Sequence, residues 1–220
     1  MHNTVKNLLD INNNIEVYLN RLNINSRPKI IAVSKTFKID KILPLIEYGH
    51  IDFGENKVQE AIEKWSVVKE KYQNLNLHMI GRLQTNKVKQ AIKLFDYIHS
   101  LDSVKLAEKI YQEQKKYQKK IKLFIQINIG DELQKSGIYI KDFPKFYDLC
   151  TKDLNLDIVG LMCIPPANLD PSPYFERMKR ISQEYSLNQL SMGMSSDYLT
   201  AIKFNATFVR IGSKIFGERS

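Results

Sequence analysis

Cysteine is scarce, with Cys150 and Cys163 the only two among 220 residues. Two are too few for a disulfide framework, and the pair lacks the close spacing of a zinc half-site, so both are expected to be buried thiols. Long apolar runs are missing as well: none approaches the ~18 residues that a membrane span needs. At the N-terminus, Lys6 is soon followed by Asp10 and Asn12-Asn13-Asn14, without the apolar stretch of a signal peptide. A cytoplasmic location with no membrane partner is therefore expected. No Pro-, Gly- or Ser-rich linker divides the chain, so residues 1–220 are expected to form one domain. Hydrophobic residues make up 43% and charged residues 26%, which allows a sizeable core and excludes a disordered or fibrous chain.

Charge of one sign is in excess, 33 Lys and Arg against 24 Asp and Glu, for a net +9. That balance suits an anionic partner, whether nucleic acid, an acidic membrane surface or a phosphorylated small molecule. The densest basic cluster, Lys115-Lys116-Tyr117-Gln118-Lys119-Lys120, ends a helical pattern, where cations favour the helix C-terminus. No nucleic-acid-binding motif accompanies it, so it reads as solvated surface and nucleic acid is not expected as a partner.

Thr4 is expected to cap a first helix whose Val5, Leu8, Ile15, Leu19 and Leu22 share one face. From Lys29 onward the rhythm changes to short apolar runs alternating with amphipathic stretches, the pattern of a parallel sheet. The runs are 30–34, 51–54, 77–81, 97–101, 123–129, 158–163, 189–192 and 208–211, with helical patterns such as 40–48, 58–72, 104–117 and 175–185 between them. Eight such units favour a closed (β/α)8 TIM barrel with an extra N-terminal helix over an open doubly wound sheet. The Pro165-Pro166-Ala167-Asn168 and Asp170-Pro171-Ser172-Pro173 stretch is expected to be a long loop after the sixth strand.

In such a barrel the chemistry gathers just past the C-terminal strand ends. The seventh run leads into Gly193-Met194-Ser195-Ser196-Asp197 and the eighth into Gly212-Ser213, places where barrels commonly bind phosphate. Gly193 and Gly212 permit close backbone approach, and Ser195 or Ser196 is expected to cap a helix facing the anion; ordinary turns are the competing reading of each alone. Lys35 follows the first strand, where desolvation and a cation such as Arg210 would favour the neutral amine that attacks carbonyls; a surface lysine is the alternative. Arg210, on the eighth strand, could face a ring acceptor, a ligand carboxylate or a structural acidic partner. His78 and His99 read as core or rim histidines, since no second ligand stands at metal spacing and no metal is expected. Asp52, Asp96 and Asp102 could be barrel carboxylates, but nothing pairs them as acid and base, and no catalytic residue is assigned.

These blocks also carry a family resemblance. Ala32-Val33-Ser34-Lys35, Phe53-Gly54-Glu55-Asn56 with Gln59-Glu60, His78-Met79-Ile80-Gly81-Arg82-Leu83-Gln84-Thr85-Asn86-Lys87 and Gly160-Leu161-Met162 are four of them. Others are Leu190-Ser191-Met192-Gly193-Met194-Ser195-Ser196-Asp197 with Ala201-Ile202, Thr207-Phe208-Val209-Arg210-Ile211-Gly212, and Ile215-Phe216-Gly217-Glu218-Arg219. Over nearly its whole length the chain resembles the YggS/PROSC family of pyridoxal 5′-phosphate homeostasis proteins, which are similar to the isolated barrel domain of alanine racemases. The resemblance implies that Lys35 holds pyridoxal phosphate as an internal aldimine. It further implies that Met194, Ser195, Gly212 and Ser213 help bind the phosphate, that Arg210 faces the pyridine nitrogen, and that Asn56 lies beside the cofactor. An arginine at that nitrogen keeps the ring unprotonated and weakens it as an electron sink. Three positions depart from the family pattern: Lys57 where an aromatic is common, Leu77 where a tryptophan is common, and Asn205 where a glycine is usual.

The expected function is thus reversible buffering of pyridoxal phosphate and its delivery to dependent apoenzymes, by a monomer without turnover of its own. The β-rich domain that gives alanine racemases a second catalytic group, a tyrosine, is not expected here. The alternative is a pyridoxal phosphate-dependent amino-acid racemase or lyase with that group supplied by a partner chain. Lys135 and Lys214, from loop position, are candidates to capture the aldehyde leaving Lys35, with solvated surface lysines as the competing reading.

Overall fold

Strands β2 (Asp52–Glu55), β4 (Tyr97–Leu101) and β8 (Phe208–Ile211) are buried at every residue, so neither of their faces can meet water. Strands of that kind need cover on both sides, which a closed parallel barrel with helices outside supplies. The computed structural model describes residues 1–218, and Arg219 of the last motif lies outside the described residues. Together with β1 (Lys29–Val33), β3 (Asn76–Met79), β5 (Lys122–Ile127), β6 (Ile158–Cys163) and β7 (Gln189–Met194), these strands close in sequence order into one barrel. Closure is made by β1 on β8, with Ile31 opposite Arg210 and Ala32 opposite Ile211.

The expected (β/α)8 architecture is therefore the observed one, and the strand ends differ by a residue or two. Strand β5 stops at Ile127 rather than Ile129 because Asn128 turns the chain: its amide donates to the Glu132 carbonyl at 2.8 Å and its side-chain oxygen accepts from the Glu132 N–H at 3.1 Å. The crossovers include α2 (Ile39–Glu47), α3 (Val58–Lys71), α4 (Val88–Leu94), α5 (Val104–Tyr117), α6 (Phe143–Asp148), α7 (Ser172–Glu184) and α8 (Tyr198–Lys203), and α9 (Ser213–Phe216) follows β8.

Two packed layers result. Outward strand residues such as Ile30, Ala32, Phe53, Leu77, Ile98 and Leu123 pack under the helices, while Ile31, Tyr97, Phe124, Met162 and Phe208 fill the interior. Along β8 the side-chain period of two therefore sets Arg210 on the same inner face as Phe208, one layer nearer the mouth. The last two helices are short, and the extra helix α1 (Asn3–Leu22) lies against α9, α2 and α8. Val5, Leu8, Ile11, Ile15 and Leu19 form its buried face, each worth about 1.5–3 kcal/mol over exposure. Leu22 is 36% exposed and drops out of that stripe. Thr4 is not the cap: His2 holds that position, its ring Nδ1 accepting from the Thr4 N–H at 3.2 Å, because the helix starts two residues earlier than a Thr4 cap requires. Among the described residues no helix is long and apolar enough to cross a membrane.

Candidate cofactor site at the barrel mouth

A cavity of about 510 Å³ opens at the C-terminal ends of the strands. Lys35, Asn56, Met194, Ser195, Arg210, Gly212 and Ser213, far apart in sequence, all line it. Val33, Phe37, Ile80 and Ile164 supply apolar wall between them. Sequence reasoning missed that wall, since nothing marks an isoleucine past a strand end as pocket lining.

The turn that carries Lys35 is held on both sides. Ser34 donates its hydroxyl to Glu55 Oε1 at 2.7 Å, and its carbonyl accepts from Lys64 Nζ at 2.9 Å. Thr36, with φ of 69°, donates its N–H to Glu60 Oε1 at 2.5 Å. Glu55 Oε1 also accepts from Trp65 Nε1 and Lys64 Nζ, each at 2.9 Å. Burial pushes the Glu55 carboxyl up from its ordinary value, against the pull of Lys64, Trp65 and Ser34. Lys35 itself is half-buried between these fixed neighbours. The Glu55–Trp65–Lys64 latch was invisible in sequence, because only the α3 packing brings Trp65 and Lys64 back to the end of β2.

Arg210 is buried and ends in neutral acceptors. Its Nη1 donates to the Ser191 carbonyl at 2.6 Å and the Ser191 hydroxyl at 2.8 Å, and its Nη2 donates to the Cys163 carbonyl at 2.9 Å. The structural acidic partner weighed for it is not found within ion-pair distance among the described residues. Burial pulls the guanidinium down from its ordinary value. A guanidinium has five N–H donors, so capacity toward the cavity remains.

The end of β7 bends into the following turn at Gly193, whose φ is 90° and whose absent Cβ would stand 2.6 Å from the Ala201 Cβ. Neither Ser195 nor Ser196 caps α8; Asp197 holds that position and its Oδ1 accepts from the Met194 N–H at 2.6 Å. The helix starts later than expected because Asp197 folds its carboxylate back to close the turn. The serines are thereby left in the turn itself, and among the described residues nothing bonds to the hydroxyls of Ser195 or Ser213. Gly81 lets the backbone of Asn56 approach, since a Cβ there would stand 2.4 Å from the Asn56 carbonyl oxygen.

The remaining polar residues are assigned by their partners. His78 and His99 are fully buried inside the barrel, as their core reading requires. Asp52 accepts from Asn76 and faces His78, and Asp96 pairs with Lys69 and accepts from the Leu77 N–H, so both are held structurally. Burial pushes the Asp102 carboxyl up, with Arg82 opposing. Lys135 pairs with Glu132 at 2.6 Å and donates to the Pro165 carbonyl, and the Lys214 ammonium lies over the Tyr198 ring. Both cysteines are buried, and burial pushes each thiol up to about 12. Asn205 adopts φ of 66°, the left-handed backbone that a glycine would otherwise supply. Leu77 is buried, and Lys57 is exposed just before α3. Among the described residues no group of three or more His, Cys, Asp or Glu could hold a metal ion.

Fold and site together define a class: a parallel eight-stranded barrel whose mouth combines a strand-end amine, a buried guanidinium and a glycine-serine turn. The chain belongs to the alanine racemase N-terminal domain family, whose model matches residues 7–220. It is 36% identical to the pyridoxal phosphate homeostasis protein of Pasteurella multocida, over 97% of each chain. It is 36% identical to the protein of that name from Aquifex aeolicus, over 87% of each. Among solved structures it is similar to PipY of Synechococcus elongatus with pyridoxal phosphate bound, at 32% identity and a TM-score of 0.78, over 92% of this chain and 100% of that one. Clostridium difficile alanine racemase shares the fold at 17% identity and a TM-score of 0.74, over 99% of this chain and 57% of the racemase.

Proposed function

We propose that this chain binds pyridoxal 5′-phosphate in the mouth cavity and serves its homeostasis, buffering the reactive aldehyde and passing it to dependent apoenzymes. The observation that carries this reading is the meeting of Lys35, Arg210 and the Ser195 and Ser213 turns in one cavity of about 510 Å³. The residues present fit the group. A half-buried amine suits an aldehyde, two unbonded hydroxyls beside glycine turns suit a phosphate, and a buried arginine with donors to spare suits an unprotonated ring nitrogen. The names of the relatives at 36% identity point the same way.

When bound, pyridoxal phosphate would supply an aldehyde, a group open to reversible attack by a primary amine such as that of Lys35. The chain's own residues would bind and orient it: Ser34 and Thr36 fix the turn that presents Lys35, Arg210 would hold the ring nitrogen, and Met194, Ser195, Gly212 and Ser213 would hold the phosphate, with Asn56 alongside. We place the protein in the cytoplasm as a one-domain monomer that carries its ligand without turning over amino acids. The homeostasis-protein names of the relatives support the non-catalytic part, and two buried free thiols suit a reducing compartment.

The test is the visible spectrum of wild type and Lys35→Ala with pyridoxal phosphate, followed by borohydride reduction and peptide mass spectrometry. Wild type is expected to show an adduct band and a reduced pyridoxyl group on Lys35, and the variant to show neither. An unmodified Lys35 would overturn the assignment. Loss of α-proton label from any amino acid in a broad panel, dependent on the cofactor, would favour the racemase or lyase reading instead.

A further inference from the structure

The barrel interior holds an unbroken polar chain that ligand binding as described does not use. Asp52 Oδ1 lies 3.0 Å from His78 Nε2, and His78 Nδ1 lies 2.9 Å from His99 Nε2. His99 Nδ1 lies 2.8 Å from Ser191 Oγ, which accepts from Arg210 Nη1 at 2.8 Å. All five residues are buried, so the chain runs dry from the start of β2 to the arginine at the mouth.

Its direction follows from the acidic end. Burial pushes the Asp52 carboxyl up, but the hydrogen bonds from His78 and Asn76 and the charge of Lys29 oppose it, and the group is held below its ordinary value. A carboxylate only accepts, so His78 carries its proton on Nε2. Burial outweighs Asp52 and keeps His78 neutral, which leaves its Nδ1 bare and requires the proton of His99 on Nε2. Burial, with the charge of Arg210 beside it, holds His99 well below the ordinary imidazole value, so its Nδ1 is bare too. The Ser191 hydroxyl must then donate to His99, which turns its lone pairs toward Arg210.

We propose that Asp52, His78, His99 and Ser191 are positioning residues, a one-way hydrogen-bond chain that fixes the guanidinium of Arg210 against the ligand ring in the mouth cavity. This rests on the pyridoxal phosphate reading above. A proton added to His78 would reverse the His78–His99 and His99–Ser191 links and bring His99 Nδ1–H and Arg210 Nη1–H to the same serine oxygen. The surroundings disfavour that addition. His78 is stacked on the Tyr97 ring at 4.4 Å and flanked by Phe208, and His99 is stacked on Phe124 at 4.2 Å. The charged or titratable groups acting on the pair are Asp52, Asp96, Lys29, His50 and Arg210.

Nitrogen-15 NMR of the imidazoles in cofactor-free protein reads the chain directly. Both rings are expected to carry hydrogen on Nε2 and none on Nδ1 at neutral pH; an Nδ1–H form or a doubly protonated ring on either overturns the proposal. Ser191→Ala cuts the last link and is expected to shift the absorption band of bound pyridoxal phosphate and weaken binding about tenfold, with Ser191→Thr restoring both. Should Ser191→Ala fail to fold, His99→Phe cuts the chain one link earlier while keeping a ring on Phe124. Unchanged band and affinity, with Lys35 still trapped by borohydride, would defeat the positioning role and leave the binding reading intact. A wild type whose Lys35 is not trapped would defeat both, whatever the tautomers.

Discussion

At the scale of single residues, the buried histidines make stability depend on pH. His50, His78 and His99 are all held below the ordinary imidazole value of 6.5, mainly by burial. Between 6.5 and their lower folded values the unfolded chain binds more protons than the native one, so stability is full above 6.5 and is lost as pH falls. His99, the most deeply shifted of the three, contributes to that loss as pH falls below 6.5. Urea unfolding midpoints are expected to fall between pH 7.5 and 5.5, and His99→Phe, though less stable at pH 7.5, is expected to show a shallower fall. An equal slope in the two proteins would mean that His99 titrates normally. His78 and His99 were visible in sequence as strand residues, but not their partnership, which needs β3 and β4 to pair side by side and β7 to face them across the barrel.

At the scale of elements, the two glycine turns of the mouth are different devices. In the β7 turn Gly193 combines φ of 90° with a Cβ position 2.6 Å from the Ala201 Cβ. Gly193→Ala is therefore expected to cost about 2–4 kcal/mol from backbone strain and overpacking together. In the β8 turn a Cβ on Gly212 would meet Val33 at an ordinary 3.4 Å, so Gly212→Ala is expected to unfold within about 0.5 kcal/mol of wild type. Thermal or chemical unfolding of the pair checks the contrast, and equal losses would refute it. Sequence reading treated the two glycines alike, because a glycine's environment across a turn is set by the helix that packs on it. The same limit explains the α8 cap: Ser195, Ser196 and Asp197 are all good capping types, and only the folded turn shows that Asp197 takes the position.

At the scale of the whole molecule, α1 closes the structure where α8 and α9 are too short to cover the strands alone. Asn7 Nδ2 donates to the Ile215 carbonyl at 2.9 Å, and Ile15 on the same helix is fully buried. Ile15→Ala is expected to destabilise by about 2–5 kcal/mol in chemical denaturation, as a large-to-small change in a packed core. A loss below about 1 kcal/mol would mean that α1 is a loosely attached appendage.

The sequence by itself determined the eight-unit rhythm and the identity of the strand-end residues that line the mouth. Those properties are local: they follow from side-chain periodicity and from the rule that barrel chemistry collects where strands end. Only the tertiary structure decided that Lys35 stands on a turn pinned by Glu55, Lys64 and Glu60, and that Arg210 has neutral partners rather than a carboxylate. It also decided that two lone histidines form one wire with Asp52 and Ser191. Each of these joins residues 19 to 92 positions apart in the chain, and closure of the barrel alone brings such residues within hydrogen-bonding distance.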